Sequence, residues 1–119
     1  MVSVIIAGTR YFDNYDLLEF SCDKVLLGFK NVTVISGGAK GADSLGERYA
    51  AKKGFPVTRF LPDWDQYGKA AGPIRNKQMA EAADILIAFW DGNSRGTKSM
   101  IDLALQNHLN VHVIDYTKS

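Results

Sequence analysis

The chain has 119 residues, enough for one domain with a real hydrophobic core. Its net charge of +1 argues against a general polyanion binder, which carries a strong basic excess. The lone Cys22 makes no intrachain disulfide, which fits a reducing compartment, and no run approaches the ~20 apolar residues of a membrane span. Val2–Ala7 is too short for a signal-peptide core and has no basic residue before it, so the expectation is a cytoplasmic protein.

Val2–Ala7 is a nearly continuous apolar run, the pattern of a strand buried on both faces. Asn14 or Asp16 can cap a helix to about Leu27, ended by Gly28. Leu18, Cys22, Val25 and Phe29 share one face of it, which makes Cys22 a core thiol. Val32–Ile35 is a second strand, 42–53 a second helix closed by Gly54, and Val57–Leu61 a weaker third strand. Residues 62–72 read as a Pro/Gly-bearing loop holding Trp64 and Tyr67. Gly72-Pro73 starts another helix, with Pro in a tolerated first-turn position. Ile85–Phe89 is a fourth strand, 94–107 is helical in pattern, and Val111–Ile114 is a fifth strand. This alternation predicts an α/β fold: a single-domain, three-layer Rossmann-like arrangement over residues 1–119 with a five-stranded parallel sheet.

In such sheets ligands bind outside the carboxyl ends of the strands. Several Gly-bearing segments fall there. Gly8-Thr9-Arg10 offers small backbone, a hydroxyl and a bidentate cation. Ser36-Gly37-Gly38-Ala39-Lys40-Gly41 joins a strand to a helix without a bulky side chain, although it is neither a P-loop nor a G-x-G-x-x-G. Asp43 either caps the helix that follows or binds a ribose hydroxyl. Ser94-Arg95-Gly96-Thr97 opens the last helix, where free N–H groups favour an anion. Arg75 and Asn76 begin another, and a cation there opposes the helix dipole unless an external anion pairs with it. The convergence points to a phosphorylated ligand, most simply a nucleotide. Trp64, Tyr67 and Trp90 either stack on its base or pack within the protein. His108 and His112 stand apart from any Cys or carboxylate cluster, so neither a metal nor a bound cofactor is expected.

Gly8 to Asp13, Ser36 to Asp43, Pro62-Asp63-Trp64, Ala71 to Asn76, and Ala88-Phe89-Trp90 through Thr97 resemble the YspA-type branch of the SLOG superfamily, over about residues 2–115. That superfamily joins the DNA-processing protein A family with the LOG nucleotide phosphoribohydrolases. The resemblance implies a Rossmann-like fold, binding of a nucleotide or nucleotide-derived ligand, and self-association through helices flanking the site. LOG enzymes cleave the N-glycosidic bond of nucleoside monophosphates and carry Pro-Gly-Gly-x-Gly-Thr-x-x-Glu. Here Gly96-Thr97 matches, but Met100 takes the Glu position, and a thioether cannot act as a general base. Hydrolysis then needs another acid, with Asp43 and Glu47 as the catalytic candidates. The DNA-processing relatives carry Ser-Gly-x-Ala-x-Gly-Ile-Asp, similar to Ser36–Asp43, and bind single-stranded DNA. The near-neutral charge ranks that function third.

Overall fold

In a computed structural model, which describes residues 1–117, the apolar runs form one parallel sheet. Its strands are β1 (Val2–Gly8), β2 (Val32–Ser36), β3 (Val57–Arg59), β4 (Ile85–Trp90) and β5 (Asn110–Asp115). They lie in the order β3-β2-β1-β4-β5. The helices are α1 (Tyr15–Leu26), α2 (Ala42–Lys53), the short α3 (Trp64–Tyr67), α4 (Ala71–Ala82) and α5 (Arg95–Gln106).

Alternation of side chains along buried strands sorts the core into two layers. Val4, Ile6, Ile87 and Phe89 face Leu18 and Cys22 of α1 and Tyr49 and Ala50 of α2. Ile5, Ala7, Leu86 and Ala88 face Met79 and Ala80 of α4 and Met100, Ile101 and Ala104 of α5. Cys22 is fully buried, and burial pushes its thiol up to about 12, so it is an inert core residue.

Three expectations need correction. Phe29 lies outside the core, 48% exposed, because α1 stops at Leu26 and Leu27 turns the chain away with φ −56° and ψ 126°. The third strand ends at Arg59 and is exposed along its length, as an edge strand is. The segment 62–72, expected as a loop, is mostly helical. Asp63 caps α3 by accepting from the Gln66 N–H at 3.1 Å, and a 3₁₀ turn at Gly68–Ala70 leads directly into α4. Gly68 does end α3, with φ +55° and ψ −131°, whereas Gly72 lies within α4.

The chain builds β1, β2 and β3 outward in one direction, then returns to place β4 on the other side of β1. The connections leaving β1 and β4 therefore diverge, and a crevice opens between them at the carboxyl edge. α2 is drawn tightly against β1 at Gly46. A Cβ there would sit 2.7 Å from Ile6 Cγ2, well inside van der Waals contact. Gly→Ala in an open helix gains roughly 1 kcal/mol of propensity. At Gly46 overpacking opposes that gain and wins, so Gly46→Ala should lower stability by about 1–3 kcal/mol, read as a fall in urea midpoint without a change in slope.

Candidate functional site

The β1–α1 connection begins at a point where three elements touch. A Cβ on Gly8 would strike the Phe89 carbonyl oxygen of β4 and come within 2.9 Å of Ala42 Cβ at the start of α2. Only glycine lets these backbones meet. The next residues are pinned: Thr9 N–H donates to Phe89 O at 3.0 Å, and the Phe12 ring stacks on Phe89 with centroids 4.8 Å apart. Arg10 projects from this fixed loop into the rim of the crevice, and its guanidinium has no hydrogen-bond or ion-pair partner among the described residues. Thr9 is buried with Oγ1 unpartnered, away from the crevice wall.

The glycine loop after β2 behaves differently from the expectation. Two of its N–H groups, those of Gly38 and Ala39, are already used within the protein. Gly38 N–H donates to Ser36 Oγ at 3.0 Å, and Ala39 N–H donates to Asp43 Oδ2 at 3.3 Å. From the other side of the sheet, Arg75 Nη1 donates to Gly37 O at 2.6 Å. Ser36, Gly37, Gly38 and Gly41 therefore shape the site without lining it. Gly41 is required by sterics and by its φ of +77°: a Cβ would strike the carbonyls of Thr9 and Arg10.

Glu47 is a strut of the same assembly. Its Oε2 accepts from Ser36 Oγ at 2.7 Å, and its Oε1 accepts from both Nε and Nη2 of Arg59. Those bonds tie α2 to the ends of β2 and β3, and Glu47 stands outside the crevice wall. It is a poor candidate for an acid or nucleophile.

The start of α5 is more open. Asp91 Oδ1 accepts from the N–H groups of Asn93 and Ser94, both at 2.8 Å, and shapes the turn. Ser94 caps the helix at the Thr97 N–H, and its Oγ lies 3.1 Å from Thr97 Oγ1. The space beside Gly96 is open, with no heavy atom within 4 Å of a hypothetical Cβ. Packing therefore does not demand glycine there, and a ligand can approach the backbone of the first helical turn. Arg95 is exposed and lies outside the crevice wall.

The crevice encloses about 290 Å³ and gathers Gly8, Arg10, Asp43, Arg75, Asn76, Ser94, Gly96 and Thr97 of the expected residues. It also takes in Ala7, Ala39, Trp64, Met79 and Met100. Sequence reasoning misses the two methionines because, as apolar residues on helices, they match ordinary core positions; Met100 stands out only for replacing a glutamate. Arg75 is the fifth residue of α4, beyond the first-turn place expected for it. Its Nε donates to Asn76 Oδ1 at 3.0 Å and its Nη1 to the carbonyls of Gly37 and Phe60. Much of its bonding capacity is thus structural, although the residue still faces the crevice.

Asp43 is the one carboxyl in the crevice wall among the described residues. It is 6% exposed. Burial pushes it up to about 6, while the Ala39 N–H and the Arg75 guanidinium pull the other way and lose. Burial also lowers Arg75, which Asp43 only partly offsets. Neither group fully compensates the other's desolvation. Among the described residues, no group of three or more His, Cys, Asp or Glu side chains is arranged to hold a metal ion.

The parallel sheet with its crevice at the switch between β1 and β4 is a Rossmann-like arrangement, and the family match places the chain in the SLOG superfamily. More narrowly, the chain belongs to the YspA, cpYpsA-related SLOG family, which matches residues 2–67. It is 37% identical over 105 residues to the Gene 61 protein of Mycobacterium phage D29, covering 82% of this chain and 84% of that one. In structure it resembles DNA processing protein A from Streptococcus pneumoniae, with a TM-score of 0.72 and 19% identity over 94% of this chain. The chain spans about half of that protein, 49% of its length. It also resembles TM1055, a structural genomics target, with a TM-score of 0.67, 21% identity, and 93% and 72% coverage of the two chains. At such identities the two structural likenesses speak for the fold. No helix among the described residues is long and apolar enough to cross a membrane.

The buried carboxyl has a measurable signature. The folded state holds the Asp43 proton near pH 6, while an unfolded Asp releases it near pH 4. The stability this group contributes is complete below about pH 4 and is lost as pH rises through about 6. Wild type should therefore lose about 2–3 kcal/mol relative to Asp43→Asn across that interval. Parallel denaturant titrations of the two proteins at several pH values check this, and a constant difference would refute it.

Proposed function

We propose that this protein binds a nucleotide or nucleotide-derived phosphorylated ligand in the crevice between β1 and β4. The observation that carries the reading is the first turn of α5. The backbone beside Gly96 is open, Ser94 and Thr97 add hydroxyls, and the unpaired Arg10 guanidinium lies on the same crevice wall. A helix start, flanking hydroxyls and a free arginine together suit a phosphate. Membership of the SLOG superfamily, which includes nucleotide-binding proteins, supports the same reading.

A second reading, hydrolysis of a nucleotide's N-glycosidic bond, has one observation in its favour. Asp43 is a crevice carboxyl whose raised proton affinity suits a general acid near neutral pH. Met100 stands against it, since a buried thioether occupies the place where the LOG pattern has its glutamate.

A thermal-shift screen with AMP, ADP, ATP, GMP, NAD and ADP-ribose, with product analysis of each hit, separates the readings. The expected result is a rise in Tm without released base. Arg10→Ala should weaken the bound nucleotide by roughly 10- to 150-fold, about 1.5–3 kcal/mol, while leaving the Tm of the free protein nearly unchanged. Unaltered affinity would remove Arg10 from the site. Release of free base by wild type but not by Asp43→Asn would establish the hydrolase instead.

A further inference from the structure

Trp64 is 59% exposed, yet it forms part of the crevice wall. It is one of two tryptophans, and the other is used differently. Trp90, at the end of β4, is partly buried and donates its Nε1–H to Ser94 O at 3.0 Å, which ties the sheet to the start of α5. The Trp64 indole N–H has no partner among the described residues.

The backbone that carries it is fixed. Trp64 opens α3, which Asp63 caps, and α3 closes when the Gly68 N–H donates to Trp64 O. On its far side the ring edge rests beside the first turn of α4, where a Cβ on Gly72 would lie 3.8 Å from Trp64 Cη2. An indole has two rotatable bonds, so on a short capped helix at a crevice mouth it loses little freedom when something covers its open face. The crevice floor beside it is apolar, closed by Met79 and Met100, whose side chains are buried. An inorganic phosphate or a sugar phosphate has no use for an exposed indole at the crevice mouth. A flat aromatic ring does.

We infer that the ligand carries a nucleobase, and that its ring stacks on the open face of Trp64 while its phosphate lies at the first turn of α5. The proposal rests on the nucleotide reading above and adds to it the part of the ligand that sets affinity. Arg10 and the α5 N-terminus hold what every phosphorylated sugar shares. Trp64 selects the molecules that bear a base, with purines favoured by their larger face.

The test compares AMP with ribose 5-phosphate, which has the sugar and phosphate but no base. Wild type, Trp64→Ala and Trp64→Phe are each titrated with both by calorimetry. Wild type should prefer AMP by tenfold or more. Trp64→Ala should bring AMP down to the affinity of ribose 5-phosphate without changing the latter, and Trp64→Phe should keep most of the preference. AMP should also quench the tryptophan emission of wild type, and the quench should vanish in Trp64→Phe, which retains Trp90. Equal binding of the two probes by wild type, or a preference unchanged in Trp64→Ala, overturns the stacking role and leaves the phosphate site standing. A parallel loss of both probes in Trp64→Ala marks a merely structural residue and overturns it too. Binding of neither probe by wild type overturns both proposals.

Discussion

Arg75 is the piece on which the crevice depends. It rises from α4 on one face of the sheet, and its guanidinium reaches the β2–α2 loop, whose helix lies on the other face. By gripping Gly37 O and Phe60 O it closes the ends of β2 and β3 under α4. The space is tight, since a Cβ on Gly37 would lie 2.5 Å from Arg75 Nη1 and 2.8 Å from Asp43 Oδ2. A cation and a carboxyl lie on either side of Gly37, Asp43 almost wholly and Arg75 partly withdrawn from solvent. Burial therefore raises Asp43 and lowers Arg75 at once. Such an arrangement is costly to the fold, and costly electrostatics concentrate where proteins act on ligands.

The glycine loop follows from this. Glycines after a strand suggest a phosphate cradle because they free N–H groups and admit close approach. Here the N–H groups of Gly38 and Ala39 already donate to Ser36 Oγ and Asp43 Oδ2. The glycines serve a crowded junction instead, with Arg75, Asp43, Thr9 and Arg10 pressed around them. Ser36, Glu47 and Arg59 brace the same junction from below. What remains open is the start of α5, where a Cβ on Gly96 would meet nothing within 4 Å. Two glycine segments that look alike in sequence thus differ in what surrounds them.

Much of the fold was legible in the sequence. Strands such as Val2–Ala7 and Ile85–Phe89 are apolar on both faces, as a short strand must be when helices cover the sheet on both sides. The sheet edge that gathers the loops followed from alternation alone, and eight of the expected site residues line one crevice. The rest depended on facts that no local pattern contains. Glu47 resembles a candidate acid in the sequence because its bonds to Ser36 and Arg59 span eleven and twelve residues. α3 was hidden by the glycines around it, although Asp63 was a readable cap. Phe29 fits the helical face of Leu18 and Cys22 only if α1 runs one turn longer than it does.

The contents of the crevice bear on whether a bound nucleotide is kept or cut. Breaking a glycosidic bond develops positive charge on the sugar, and a carboxylate beside it is the usual stabiliser. At the position one turn into α5 where a LOG-type glutamate would stand, Met100 is buried at 2% exposure and offers no charge. Asp43 is the remaining carboxyl, but the Ala39 N–H and Arg75 already engage it. A carboxylate held by a cation and a backbone donor has less field to lend to an oxocarbenium ion. It also has less freedom to swing toward the sugar. Phosphate contacts, by contrast, need only the open turn at Gly96 and the free Arg10. Under the proposed reading, the Gly96 backbone and the Arg10 guanidinium are free to meet a nucleotide, while the one carboxyl in the crevice wall is tied to the fold.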